Sequence, residues 1–190
     1  MNLWKQDPRF IEAVELTLQH EGVFANVQGD SGGATIYGVA SAYHPEWYAR
    51  IMDMRKAGRT NDAIDIAREF YFEEFWNKCK APAINNDLVA FELFDTAVNM
   101  GIPHAVECLQ RAVGVNTKSD HIITVDGKIG PITVATVNGI CRTDSGAMAL
   151  AIAQNVFQAM RYIEIYENNP QRFKKFMNGW LKRCLVKGIK

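Results

Sequence analysis

The stretch His20-Glu21-Gly22-Val23-Phe24-Ala25-Asn26-Val27-Gln28-Gly29-Asp30-Ser31-Gly32-Gly33-Ala34-Thr35-Ile36-Tyr37-Gly38-Val39 decides how this chain is read. Upstream of it, Asp7-Pro8 has the grammar of a helix start, because Asp caps free amides and Pro suits the first helical position. Phe10, Val14, Thr17, Leu18 and Glu21 then recur at helical spacing. At 100° per residue Glu21 lies about 20° around the axis from Phe10, so the spacing predicts a carboxyl on the buried face. Gly22 follows as a natural left-handed cap.

Glu21 is therefore expected to be partly desolvated and at the negative end of a helix dipole. Both effects disfavour its ionisation, as a general acid working near neutral pH requires. Asp30 comes nine positions later in a glycine-rich turn with solvent and free amides, where it is expected to remain ionised. Two carboxyls pushed in opposite directions are the pattern of glycoside hydrolysis. Thr35, on what reads as a short strand, offers a hydroxyl to hold a water, and Gly32 and Gly33 allow close approach of a bulky sugar.

Glu21-Gly22, Asn26 and Asp30-Ser31-Gly32-Gly33-Ala34-Thr35-Ile36-Tyr37-Gly38 together resemble the signature of the family 108 glycoside hydrolases, N-acetylmuramidases found as phage endolysins and in bacterial genomes. The order acid, acid, threonine is also similar to that of the phage-type lysozymes, with an Asp-to-Thr gap that differs by one residue. The chain departs from the family pattern at Val23, where a second glycine is usual, and at Val27-Gln28, where a more polar, Pro-containing turn is expected. The resemblance implies cleavage of the β-1,4 bond between N-acetylmuramic acid and N-acetylglucosamine in peptidoglycan. Glu21 would protonate the leaving oxygen, Asp30 would stabilise the cationic transition state or activate water, and Thr35 would position that water. No metal or organic cofactor is expected, since two carboxyls and water suffice. Two alternatives stay open, a lytic transglycosylase giving 1,6-anhydro products and a non-catalytic wall-binding protein.

Composition narrows the classes further. Lys+Arg and Asp+Glu are equal at 21 each, so no global basic field is available for nucleic acid. At 190 residues and 48% hydrophobic, the chain can bury a substantial core. Cys79, Cys108, Cys141 and Cys184 are widely spread without a C-x-x-C pair and read as free thiols. The four histidines show no metal-ligand spacing. The N-terminus lacks an apolar signal region, and the most apolar segment, residues 147–160, is short and interrupted by Gln154, Asn155 and Gln158. The expectation is a monomer made soluble in a host cytoplasm, with peptidoglycan glycan strands as its partner and no stable membrane insertion. Release to the wall by a holin is what the family resemblance adds.

Further along, residues 47–56 read as a short helix closed at Gly58, and Thr60-Asn61-Asp62 as the start of a longer one to about Trp76. Its aromatic residues are mostly core by spacing, with Tyr71 and Trp76 as groove candidates. The polar stretch Pro82 to Asp87 reads as the internal boundary. Leu88 to Met100 is apolar on nearly all sides, as a central helix is. The next helix runs from Pro103 to Val113 and stops at Gly114. Phe94 to Gly101, Leu109 to Val115 and Val125 to Thr133 together resemble the peptidoglycan-binding module that follows the catalytic part in the same family. Asp95 and Asn99, one turn apart, suit contact with a sugar or peptide, or satisfaction of buried backbone groups, and the second reading is favoured. The longest helical pattern, Ala147 to about Glu167, places Leu150, Val156, Phe157, Met160 and Ile163 in the core, and Phe173, Phe176, Met177 and Trp180 follow in a final helix.

The predicted fold is mainly α, of the α+β lysozyme-like kind, a helical bundle with a small β hairpin or sheet carrying the active-site turn. Residues 1–85 would form the catalytic region and residues 86–190 a helical peptidoglycan-binding-like region, packed into one compact unit. Glu21, Asp30 and Thr35 are the candidate catalytic residues. Gly32, Gly33, Tyr37, Tyr71, Asp95 and Asn99 are the candidate substrate-binding residues.

Overall fold

The computed structural model describes residues 3–21, 24–26, 33–117 and 123–185, with the side chains of residues 20, 21 and 24–26 outside that description. The architecture is mainly α, with a small antiparallel sheet near the N-terminus. Packing divides the chain into two compact units, Met1–Asn77 and Lys78–Lys190. The division falls before Pro82, which lies inside the second unit in a 3-10 turn, Ala81–Ala83.

In the first unit, helix α1 spans Pro8–Glu21. Asp7 caps it as its sequence predicts, its Oδ1 accepting from the backbone N–H groups of Arg9 and Phe10 at 3.1 and 3.2 Å. The other carboxylate oxygen accepts from the Trp76 indole N–H at 2.9 Å, so one side chain fixes the helix start and anchors a distant aromatic. Strands β1 (Phe24–Asn26), β2 (Ala34–Ile36) and β3 (Val39–Ala40) form an antiparallel sheet in sequence order. Helices α2 (Pro45–Lys56) and α3 (Thr60–Tyr71) pack together, joined through Gly58 at φ +74°.

The helix expected to run unbroken to Trp76 instead widens into a π-turn over Phe72–Trp76, closed by Asn77 N–H on the Phe72 carbonyl at 3.0 Å. Wider winding brings residues five apart onto one face. Phe75 consequently lies against both Phe70 and Tyr71, at 5.6 and 6.0 Å between ring centroids. Trp76 and Phe72 meanwhile both pack on Phe10 from α1.

In the second unit, α4 (Asp87–Met100) is the central helix, packed against α5 (Ile102–Asn116) and α7 (Asp144–Asn168). Its cap is Asn86, one residue before the Asp87 expected from sequence, accepting from Val89 N–H at 3.2 Å. Val89, Ala90, Leu93, Phe94 and Ala97 are fully buried. Helix α5 continues through Gly114, because Thr117 N–H still reaches the Val113 carbonyl at 3.0 Å and closes the last turn. A glycine inside a helix costs only about 1 kcal/mol, which burial of Leu109, Ala112 and Val113 outweighs. Helices α6 (Pro131–Ile140) and α8 (Pro170–Arg183) complete the unit.

Helix α7 is turned relative to the sequence expectation. Leu150 is buried, but Val156, Met160 and Ile163 are 51%, 49% and 42% exposed. The inward face carries Ala147, Leu150, Ala151, Gln154, Asn155, Gln158 and Tyr162. The cause is the polar face of α4. Asn155 donates to Glu92 at 3.0 Å and Gln154 to Thr96 at 3.3 Å. Helix α8 likewise contributes no buried residue. Its Trp180 stacks on Tyr162 at 5.0 Å, and Phe176 is 43% exposed.

Three amide oxygens on this inward face, those of Gln154, Asn155 and Gln158, are buried without a hydrogen-bond partner among the described residues. Such an orphan costs about 1–3 kcal/mol, and replacing both partners of a buried polar pair by apolar groups of similar shape is neutral or favourable. The double substitution Gln154→Met with Thr96→Val, which removes the orphan oxygen and both ends of the Gln154–Thr96 bond, is therefore expected to leave thermal stability unchanged or raise it, by up to about 1 kcal/mol. A melting temperature lowered by several degrees would show that the buried amide is stabilising.

Candidate active site

The candidate chemistry is carried by the end of α1 and the first hairpin. Glu21 is the last residue of α1, and β1 begins three residues later at Phe24. The register pairs Phe24 with Ile36, Ala25 with Thr35 and Asn26 with Ala34. Thr35 thus stands across the ladder from a residue four positions beyond Glu21, and β1 and β2 are the two arms of the loop containing Asp30. The ladder joins the strand that follows the end of α1 to the strand that carries Thr35. Asp30 and Gly32 lie outside the described residues, as does the side chain of Glu21.

Gly33 is described, and it has a definite structural task. Its φ of +69° is left-handed, and a Cβ there would come within 2.9 Å of Ser41 Oγ. Ser41 N–H in turn donates to the Ala34 carbonyl at 2.9 Å, tying the chain after β3 back to the start of β2. Gly33→Ala is expected to cost about 1–2 kcal/mol of stability, mainly through the left-handed backbone, since the serine hydroxyl can rotate away. Chemical denaturation measures this, and an unchanged midpoint would mean that the loop adopts another conformation.

Tyr37 and Tyr71 are placed differently from their sequence assignment. Tyr37 forms the β2–β3 turn at φ +49° and is 5% exposed. Its hydroxyl accepts from Arg55 at 3.2 Å. Tyr71 is 1% exposed, and its hydroxyl donates to the Tyr37 carbonyl at 2.9 Å. Tyr71 cannot stack on a sugar from the interior; it pins the strained turn that carries β2 and β3. Trp76, also 1% exposed, is core for the same reason. Among the described residues Tyr43, just after β3, is 63% exposed. Neither Tyr43 nor Arg55 carries a periodic or motif signal in the sequence.

Asp95 and Asn99 lie on α4 in the second unit. Asp95 is 2% exposed, and Asn99 donates to the Asp95 backbone carbonyl at 2.7 Å and to its carboxylate at 3.3 Å. These contacts match the reading in which the pair satisfies interior groups rather than touching a ligand.

The Asp126-Gly127 turn is held by a clamp from α5. Gln110, 2% exposed, accepts from the N–H groups of Asp126 and Gly127 at 3.0 Å each, and donates to the Asp126 carboxylate at 2.8 Å and the Lys128 carbonyl at 3.0 Å. The Gln110 hydrogen bond and the Lys128 N–H hold the Asp126 carboxyl below the usual carboxylate range. The co-occurrence of Leu109-Gln110-Arg111 with the Asp-Gly turn in the sequence thus has a physical basis. Among the described residues no cluster of three or more potential ligands could hold a metal ion, and no helix is long and apolar enough to cross a membrane. All four cysteines are free, with Cys79 and Cys108 buried and their thiols pushed up to about 12 and about 11 by desolvation.

A mainly α chain with a helix-end acid leading into a glycine-rich hairpin is the framework of a lysozyme-like carbohydrate hydrolase. Residues 14–101 match the Glycosyl hydrolase 108 family and residues 104–185 a family described as a predicted peptidoglycan domain. The two matches follow one another along the chain, the glycosyl hydrolase 108 match ending at residue 101 and the predicted peptidoglycan domain beginning at residue 104. Among solved structures it is similar to SagA of Brucella abortus, with 27% identity and a TM-score of 0.61 over 92% of this chain and 88% of that one. No curated protein matches it. The family boundary at residues 101–104 falls between α4 and α5, two helices packed together within one unit.

Proposed function

We propose that the protein is an N-acetylmuramidase, cleaving the β-1,4 bond from N-acetylmuramic acid to N-acetylglucosamine in peptidoglycan. The observation that carries this reading is the antiparallel register of β1 and β2. It pairs Thr35 with Ala25, four positions beyond Glu21 in the sequence, which supports a shared role for the two. Glu21 donates its proton to the glycosidic oxygen as the bond breaks. Asp30 stabilises the positive charge developing on the muramic acid ring or takes a proton from the attacking water, and Thr35 orients that water. The proton balance closes, because water supplies one proton to replace that given to the leaving alcohol and a hydroxyl to the new reducing end. No cofactor enters this scheme. The helical remainder, with its predicted peptidoglycan domain, holds the polymer.

Purified sacculi provide the test. The protein is expected to release soluble fragments and generate new reducing ends in proportion. Co-sedimentation with sacculi without any release would instead identify a wall-binding protein that lacks catalysis.

A further inference from the structure

Charge in this chain is balanced in total and uneven in placement. No Asp or Glu follows Glu167, whereas residues 170–190 hold seven of the 21 Lys and Arg. That segment therefore carries a formal charge of +7 and residues 1–169 a charge of −7. Helix α8 holds five of the cations, Arg172, Lys174, Lys175, Lys182 and Arg183, and no acid within its 14 residues. Lys174, Lys175 and Lys182 are exposed. Like charge at this density is a cost that an anionic partner removes.

The helix on which α8 packs, α7, supplies a second and independent feature. Its Ile152, Val156, Met160 and Ile163 are exposed. At 100° per residue they fall within about 80° of one another, on the side opposite the buried Leu150, Gln154 and Gln158, so they form one apolar stripe. No charged residue occurs between Asp144 and Arg161. Glu164 is ion-paired with Arg161 at 2.7 Å, and Glu167 closes the stripe at the helix end. Phe176 and Leu181 of α8 add exposed apolar surface to the same helix pair.

From these two features together we infer that the α7–α8 pair is a docking surface for an anionic phospholipid bilayer. The lysines of α8 meet headgroup phosphates, and the α7 stripe enters the boundary between headgroups and acyl chains. The contact is made at the surface, since among the described residues no helix is long and apolar enough to cross a membrane. Each feature disfavours one other occupant. A soluble polyanion neutralises the cations and leaves the stripe in water. A second copy covers the stripe, but a two-fold contact through this helix pair sets two α8 helices, rich in cations and without an acid, against each other. A bilayer bearing phosphate answers both. The inference goes beyond the proposed hydrolysis and does not rest on it.

Sedimentation of the full chain with large unilamellar vesicles is the test, using phosphatidylcholine alone and an equimolar mixture of phosphatidylcholine and phosphatidylglycerol. Binding to the mixed vesicles is expected, with binding to phosphatidylcholine weaker by about tenfold or more. It should be lost in about 1 M salt, where charges are screened beyond about 3 Å. Lys174→Gln, Lys175→Gln and Lys182→Gln combined should weaken binding about a hundredfold, from about fivefold for each cation near an anionic surface. Val156→Ser with Met160→Gln should weaken it about tenfold. All five positions are exposed, so both variants should keep the wild-type melting temperature. Equal partition to the two vesicle types, or wild-type partition in either variant, would overturn the inference. So would a dimer in light scattering that Val156→Ser with Met160→Gln dissociates, because the stripe would then belong to a second copy. Binding of soluble polyphosphate without binding of vesicles would overturn it as well. The vesicles hold no peptidoglycan, so each outcome is independent of the bond that the protein cleaves.

Discussion

Glu21→Gln is expected to yield a folded protein that sediments with sacculi and releases at most about a hundredth of the wild-type soluble fragments. The exchange keeps the volume and polarity of the side chain at the end of α1 and removes only the donatable proton. General acid catalysis contributes about 10²–10⁴-fold, which sets the size of the loss. Stability should hardly change, since the helix is secured from its other end by Asp7 and by packing of Phe10 against Phe72 and Trp76. Initial rates of reducing-end release, measured beside a thermal melt, separate the two effects. Full activity in a folded Glu21→Gln protein would remove Glu21 from the mechanism.

The second large effect concerns where the chain can be cut. A fragment of residues 104–190, chosen to match the predicted peptidoglycan domain, is expected not to fold. It lacks α4, whose Val89, Leu93 and Phe94 are fully buried in a helix packed on α5 and α7. At about 2 kcal/mol for each such side chain the loss is about 6 kcal/mol, comparable with the entire stability of a small domain. It also removes Glu92 from Asn155 and Thr96 from Gln154, leaving two more buried amides unpartnered. A fragment of residues 78–190 retains α4 and is expected to show a helical circular dichroism spectrum and a cooperative melt. Equal folding of both fragments would mean that α4 is dispensable to the unit. The family boundary is thus a boundary of sequence patterns, while the packing boundary lies before α4.

The comparison of sequence with structure separates local from tertiary information. Asp7-Pro8 predicts its helix start because a cap depends on residues two and three positions away, and those amides are where the carboxylate finds them. The hairpin was readable for a similar reason: a glycine-rich loop between short β-prone segments admits few pairings. The facing of α7 was not. Apolar spacing alone turns Val156, Met160 and Ile163 inward, whereas the structure turns in amides that meet Glu92 and Thr96 from a helix more than fifty residues earlier. Nothing within α7 encodes that partner.

The candidate site shows the same division. The residue types and their order are visible in the chain, whereas the pairing of Thr35 with Ala25 is a property of the folded hairpin. Tyr71 was misread because aromatic periodicity does not distinguish a groove from the support beneath a turn; only its contact with the Tyr37 carbonyl does so. Gly33 was expected to admit a sugar, and its left-handed backbone gives it a conformational reason to be glycine as well.

The identity of the bond cleaved can be read from the fragments that the protein releases from purified sacculi, by mass spectrometry of their ends. Fragments ending in reducing N-acetylmuramic acid are the predicted result. Ends of the 1,6-anhydro type would contradict it in favour of a transglycosylase, and reducing N-acetylglucosamine ends would contradict it in favour of a glucosaminidase.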